Sequence, residues 1–139
     1  MKQGYDAYRN SSIDTADQGK LILVAYDVAI KHAKLALEKF DDYRLIEERT
    51  KHLFKVQDAV TELISSLKLD TGEIAVNLYR LYEYMLRTIV DAGVKSDREK
   101  LCEVLSYLET LRNAWAEASV KVKCESAPQM DTTNIAVAG

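Results

Sequence analysis

Ser96-Asp97-Arg98-Glu99 leads into Leu101, Val104, Leu108, Leu111, Trp115, Ala118 and Val122, apolar residues that recur at alternating spacings of three and four for three heptads. Such positions fall on one stripe only if the chain is helical, because an α-helix turns once every 3.6 residues or so. Ser96 with Glu99 three residues on reads as a capping box, in which two otherwise unpaired amides at the helix start are satisfied reciprocally. One long amphipathic helix in a chain of this length needs partners of the same kind.

Moving towards the N-terminus, Asp70-Thr71-Gly72-Glu73 repeats the start signal, with Asp70 as the expected cap and Glu73 three residues later. It opens a helix carrying Ile74, Leu78, Leu81, Met85 and Ile89, with Gly93 expected as the residue that ends it. Before that, Ile46, Leu53, Val56, Val60, Leu63 and Leu67 make another stripe, spaced seven, three, four, three and four. The first helix is expected from the Thr15-Ala16-Asp17-Gln18 box to about Phe40, followed by a polar turn at Asp41-Asp42-Tyr43-Arg44. Four helices with short connections place sequence neighbours antiparallel. The expected fold is therefore all-α, an antiparallel up-down four-helix bundle. It has an extended N-terminal leader, 1–14, and a mobile C-terminal tail, 125–139, where periodicity is lost around Pro128. Residues 1–124 read as one domain.

Composition narrows the function. The 139 residues are 47% hydrophobic, enough for one core without metals or disulfides. With 22 acidic and 19 basic side chains in no long block, nothing favours nucleic acid or an anionic membrane as partner. The start Met1-Lys2-Gln3-Gly4-Tyr5 lacks the apolar region of a signal peptide, and no stretch is apolar enough for insertion into a membrane, so the expected location is cytoplasmic. Cys102 and Cys124 lie 22 positions apart without a CxxC spacing, which reads as two reduced thiols.

Catalytic and cofactor chemistry finds no foothold. His32 and His52 fall on different predicted helices with no ligand at metal spacing, and read as surface or boundary residues. The Glu-x-x-His pairs of di-metal bundles are missing, as are phosphate loops and nucleophile motifs. The chain is expected to be no enzyme and to need no cofactor.

What stands out is surplus apolar surface. Leu21-Ile22-Leu23-Val24-Ala25-Tyr26-Asp27-Val28-Ala29-Ile30 is apolar nearly all round, where a bundle helix needs one stripe. Beside the main stripe of the third helix lies a second one with Ala75, Tyr79, Tyr82, Leu86 and Ile89. Tyrosines bury a ring and keep a wet hydroxyl, which suits a binding face. The leader, with Tyr5, Tyr8 and Ile13, reads from composition either as a frayed terminus with incidental tyrosines or as a segment that lies across an apolar groove as a removable cover. Two readings fit these faces equally: a groove for a partner, or burial in the bundle centre or a homodimer.

Several ordered stretches carry a family resemblance. They are Tyr5-Asp6-Ala7-Tyr8, Ile13-Asp14-Thr15-Ala16, Lys20-Leu21-Ile22-Leu23-Val24-Ala25-Tyr26-Asp27, and Val56-Gln57-Asp58-Ala59-Val60-Thr61-Glu62-Leu63. They continue with the run Glu73 to Met85, Asp91-Ala92-Gly93-Val94-Lys95-Ser96-Asp97, and Leu111-Arg112-Asn113-Ala114-Trp115. Together, over residues 5–118, they resemble the flagellin export chaperone family FliS. Two departures are visible. Asp17-Gln18 stands where the family has Ser/Thr-Pro, and Val28 stands where it has Gly, which adds bulk to the first helix.

The resemblance implies a bundle that binds the disordered C-terminal region of flagellin along its outside, prevents premature polymerisation and keeps the client competent for the flagellar type III secretion system. The flagellar export gate is a further candidate partner. On this reading Tyr5, Tyr8, Ile13, Leu21, Val56, Val60, Leu78, Tyr79, Tyr82, Met85 and Ile89 are the expected flagellin-binding residues, in a monomer or weak homodimer. The alternative is a structural or homodimerisation module without a flagellin client.

Overall fold

A computed structural model describes residues 15–125 of the chain. Four helices follow one another: α1 (Thr15–Glu38), α2 (Ile46–Ser65), α3 (Glu73–Lys95) and α4 (Arg98–Glu125). Short 3₁₀ turns at Tyr43–Leu45 and Leu69–Thr71 occupy the first two connections. Each helix packs on the next, and α4 closes the ring against α1. Cross-helix contacts give the directions. Leu37 of α1 meets Arg98 at the start of α4, whereas Gly19 meets Trp115 near its end. The expected up-down antiparallel bundle is the observed one. The leader, Tyr5, Tyr8 and Ile13 within it, the box side chains at 15–17 and the tail beyond Glu125 lie outside the described residues.

The interior is built from the predicted stripes. Leu53, Val56, Val60 and Leu63 of α2, Met85 and Ile89 of α3, and Leu101, Val104 and Leu108 of α4 are buried together. The contribution of α1 is different: Ala25, Ala29, Ala33 and Ala36 form its buried stripe, and α1 packs more extensively on α2 than any other helix pair does. Small side chains let two backbones approach, so the seam has no spare volume for branches. Val28 lies off this stripe and is partly exposed. The bulk it adds relative to the family pattern therefore projects outward and leaves the seam undisturbed.

Three helix ends differ from expectation. Asp70 does not cap α3. The turn Leu69–Thr71 intervenes, and Gly72 is the N-cap at φ 140°, a conformation that side chains rarely adopt, with no side-chain cap bond. Gly93 does not end α3, which continues to Lys95 and stops where Ser96 enters the left-handed region at φ 51°. Ser96 is consequently unavailable as the box cap of α4. Asp97 takes that role one residue later, its Oδ1 accepting from the amides of Glu99 and Lys100.

Gly93 has instead a packing role. A Cβ there would stand 3.2 Å from Leu53 Cδ1, tight enough to displace it. Its carbonyl, together with that of Phe40, accepts from Arg49, a buried cation lying 4.4 Å from the centre of the Phe40 ring. Arg49 occupies the middle of the seven-residue gap between Ile46 and Leu53, facing the core where the stripe skips a residue. Its charge is tolerated because it sits at the carbonyl-rich ends of α1 and α3, where the helix dipoles are negative. It ties the start of α2 to the ends of α1 and α3 at that pole of the bundle.

Candidate functional site: an apolar groove at the pole where α1 begins

At the opposite pole, the start of α1, the end of α2, the start of α3 and the second half of α4 do not close on one another. The gap between them is a groove of about 430 Å³ lined by Ile22, Tyr26, Leu67, Ile74, Leu78, Tyr82 and Trp115, among others. A smaller extension of about 140 Å³ continues past Leu21 and Leu63 along α1 and α2, sharing Ile22 and Leu67 with it. The cause is local. Helix α2 stops at Ser65, so Leu67, the last residue of its stripe, sits in a connection and forms a wall. Gly72 then turns the chain into α3, leaving Ile74 on the rim at 78% exposure.

The floor and far wall are held by hydrogen bonds. Trp115 donates its indole N–H to the Gly19 carbonyl at 3.2 Å, which fixes a large ring between α4 and α1. Tyr26 and Tyr82 join their hydroxyls across the diagonal from α1 to α3. Burial raises the pKa of both phenols, and in Tyr82 the bond to Tyr26 adds to the rise. Both stay protonated at neutral pH and serve as fixed polar points on an apolar floor, with no nucleophilic character. The rim carries the neutral Gln18 together with Glu62, Lys68 and Glu73, charges of both signs. Such a groove selects an occupant by apolar fit more than by net charge.

The paired hydroxyls carry a specific expectation. Tyr82→Phe leaves the buried Tyr26 hydroxyl without its partner and should cost about 1–3 kcal/mol, as should Tyr26→Phe. The double variant should cost less than the sum of the two, because no orphan remains. Urea unfolding of the four proteins measures this, and strictly additive effects would contradict the pairing.

The structure sorts the sequence-predicted residues into groups. Leu21, Leu78 and Tyr82 line the groove or its extension. Tyr79 is half-buried and away from the groove, its hydroxyl donating to Glu83. Val56, Val60, Met85 and Ile89 are at most 1% exposed, inside the core, and offer no surface to an occupant. Helical periodicity shows which residues share a face, but not which face meets the other three helices. Ile22, Tyr26, Leu67, Ile74 and Trp115 complete the groove, although none of them is among the expected binding residues. The position of Leu67 and Ile74, either side of the Asp70-Thr71-Gly72 connection, was the available signal.

The two histidines are boundary residues, as expected, and the packing of α1 on α2 brings them together. His32 on α1 and His52 on α2 hold their Nδ1 atoms 2.8 Å apart. Burial lowers the pKa of His32, and the neighbouring His52, Lys31 and Lys55 lower it further. Since the unfolded chain then takes up the proton first, near the ordinary value of 6.5, stability is full above that pH and declines as pH falls through it. His32→Gln should flatten this decline between pH 7 and 5 in urea titrations. An unchanged slope would remove His32 as its source.

Three of the stretches that carry the sequence resemblance converge on the groove: Lys20–Asp27 through Ile22 and Tyr26, Glu73–Met85 through Ile74, Leu78 and Tyr82, and Leu111–Trp115 through Trp115. Two of them also meet in an ion pair, Arg112 Nε donating to Asp27 Oδ1 at 2.9 Å. The family model for flagellar protein FliS matches residues 1–122. The chain belongs to the FliS family. Among its relatives, the flagellar secretion chaperone FliS of Bacillus subtilis is 32% identical over 118 residues, 85% of this chain and 87% of its own length. The flagellar secretion chaperone FliS of Salmonella typhimurium is 28% identical, covering 89% and 96% of the two chains. That of Vibrio cholerae is 28% identical, covering 83% and 88%. Among the described residues no helix is long and apolar enough to cross a membrane.

Proposed function

We propose that this FliS-family chain is a flagellar secretion chaperone whose client is the C-terminal segment of flagellin, and that part of the client seats in the groove between Leu67, Ile74, Leu78 and Trp115. The observation that carries the reading is an open apolar groove built from three of the stretches that mark the family. A segment that is disordered when free can fold an amphipathic helix into such a groove, with Ile22, Leu67 and Leu78 contacting its apolar side.

Holding is a mass-action effect. Any fraction of flagellin bound through its polymerising segment is withdrawn from assembly, and no covalent step is required. Reversibility matters equally, because the client must be released for secretion, with the export gate as the partner at that step. Tyr5, Tyr8 and Ile13 of the leader, which precedes α1 in the sequence, belong to the client-binding residues on this reading. The work is done in the cytoplasm, without cofactor or catalysis.

The test is calorimetric titration of the chain with a peptide of the flagellin C-terminus, paired with circular dichroism. Saturable heat and a gain of helix beyond the sum of the components are expected. Retention of C-terminally truncated flagellin as strongly as the full-length protein would overturn the assigned client segment. A tight dimer in sedimentation that takes up no peptide would favour the homodimerisation module instead.

A further inference from the structure

The contact between His32 and His52 has a geometry with a use beyond packing. Their ring centres are 5.1 Å apart with the planes inclined by 30°. Given the 2.8 Å between the Nδ1 atoms, that separation requires the two nitrogens to point almost straight at one another. A head-on nitrogen pair is held by a single proton, donated by one ring to the lone pair of the other. Whatever takes the place of that proton meets two imidazole lone pairs at once.

We propose that His32 and His52 form a two-imidazole site, between α1 and α2, for a divalent transition-metal ion that accepts nitrogen donors at right angles, as Ni²⁺ and Cu²⁺ do. The spacing supports this choice. With metal–nitrogen bonds of about 2.0–2.1 Å, two donors at right angles lie about 2.9 Å apart and two tetrahedral donors about 3.4 Å. The observed 2.8 Å matches the first, the tetragonal arrangement typical of Ni²⁺ and Cu²⁺. To meet at a common point, each ring turns its lone pair about 45° off the line joining the nitrogens, without a change in their separation.

The surroundings suit such a site. Both rings are partly exposed, so an ion can enter from solvent and water can complete its coordination. Among the described residues no third His, Cys, Asp or Glu joins the pair, which makes the site open and two-pointed. Lys31 and Lys55 help keep His32 neutral, the form that ligates, while their charge limits affinity for a dication. The ion links two consecutive helices and binds only when they are packed, so it stabilises the folded chain.

The experiment titrates the full chain, stripped with chelator, with Ni²⁺, followed by calorimetry and thermal melting, beside His32→Asn and His52→Asn. One Ni²⁺ per chain and a rise in Tm of about 10 °C at a hundredfold excess over Kd are expected. Each variant should bind at least tenfold more weakly and lose most of the rise. Equal affinity in the wild type and both variants, or no rise in the wild type, overturns the site. Should either variant unfold, the spectrum of Cu²⁺ bound to the wild type decides. Coupling to two imidazole nitrogens supports the pair, and coupling to one or none rejects it.

Discussion

Ala29→Leu should destabilise the bundle by about 3 kcal/mol and lower its Tm by about 10 °C. Ala29 is fully buried in the middle of the Ala25, Ala29, Ala33, Ala36 stripe. The larger side chain can be housed only if α1 lifts away from its neighbours or core side chains leave their rotamers, and each response sacrifices contacts made by Ala25 and Ala33 as well. Val28→Leu, one residue earlier, is the control. That side chain is partly exposed, so added bulk finds solvent and the change should stay within about 0.5 kcal/mol. Urea unfolding of the two variants measures the contrast. Equal small effects would mean that the seam has slack and that alanine is not what allows the close approach of α1.

Ile74→Asp should weaken binding of the flagellin C-terminal peptide about a hundredfold while leaving stability nearly unchanged. Ile74 is 78% exposed in the free chain, so folding gains little from it. A client seated between Leu67 and Trp115 would bury it, and losing an isoleucine contact costs about 1.5–3 kcal/mol, to which an unpaired carboxylate at an apolar boundary adds. Val94→Asp makes the comparison on the same helix. Val94 is equally exposed but lies near the other end of α3, and its substitution should leave affinity alone. Calorimetry on the two variants distinguishes a groove at one pole from a client spread evenly along the exterior. Equal losses would argue for the latter.

These two expectations rest on residues that sequence patterns treat alike. Leu101, Val104 and Leu108 were legible as core because their spacing admits one stripe and a helix with one stripe buries it. On α1 and α3 the apolar residues exceed one stripe, and pattern alone could not separate Met85, which is sealed inside, from Leu78, which lines the groove. Arg49 was hidden differently. A gap in a stripe reads as a polar position facing solvent, whereas here the gap is filled by a cation whose partners include the backbone carbonyls of Phe40 and Gly93 in other segments. Backbone partners leave no mark in residue type.

The sequence by itself determined the four helices, their order and antiparallel arrangement, and the family, because these depend on local periodicity, short connections and ordered motifs. Only the tertiary structure decided which apolar faces remain open, that Ser96 and Asp97 rather than Gly93 divide α3 from α4, and that His32 meets His52. The reason is that each of these depends on the distance between residues far apart in the chain. Those distances follow from how deeply α1 sinks on its alanines and where α2 stops, which are properties of the packed bundle as a whole.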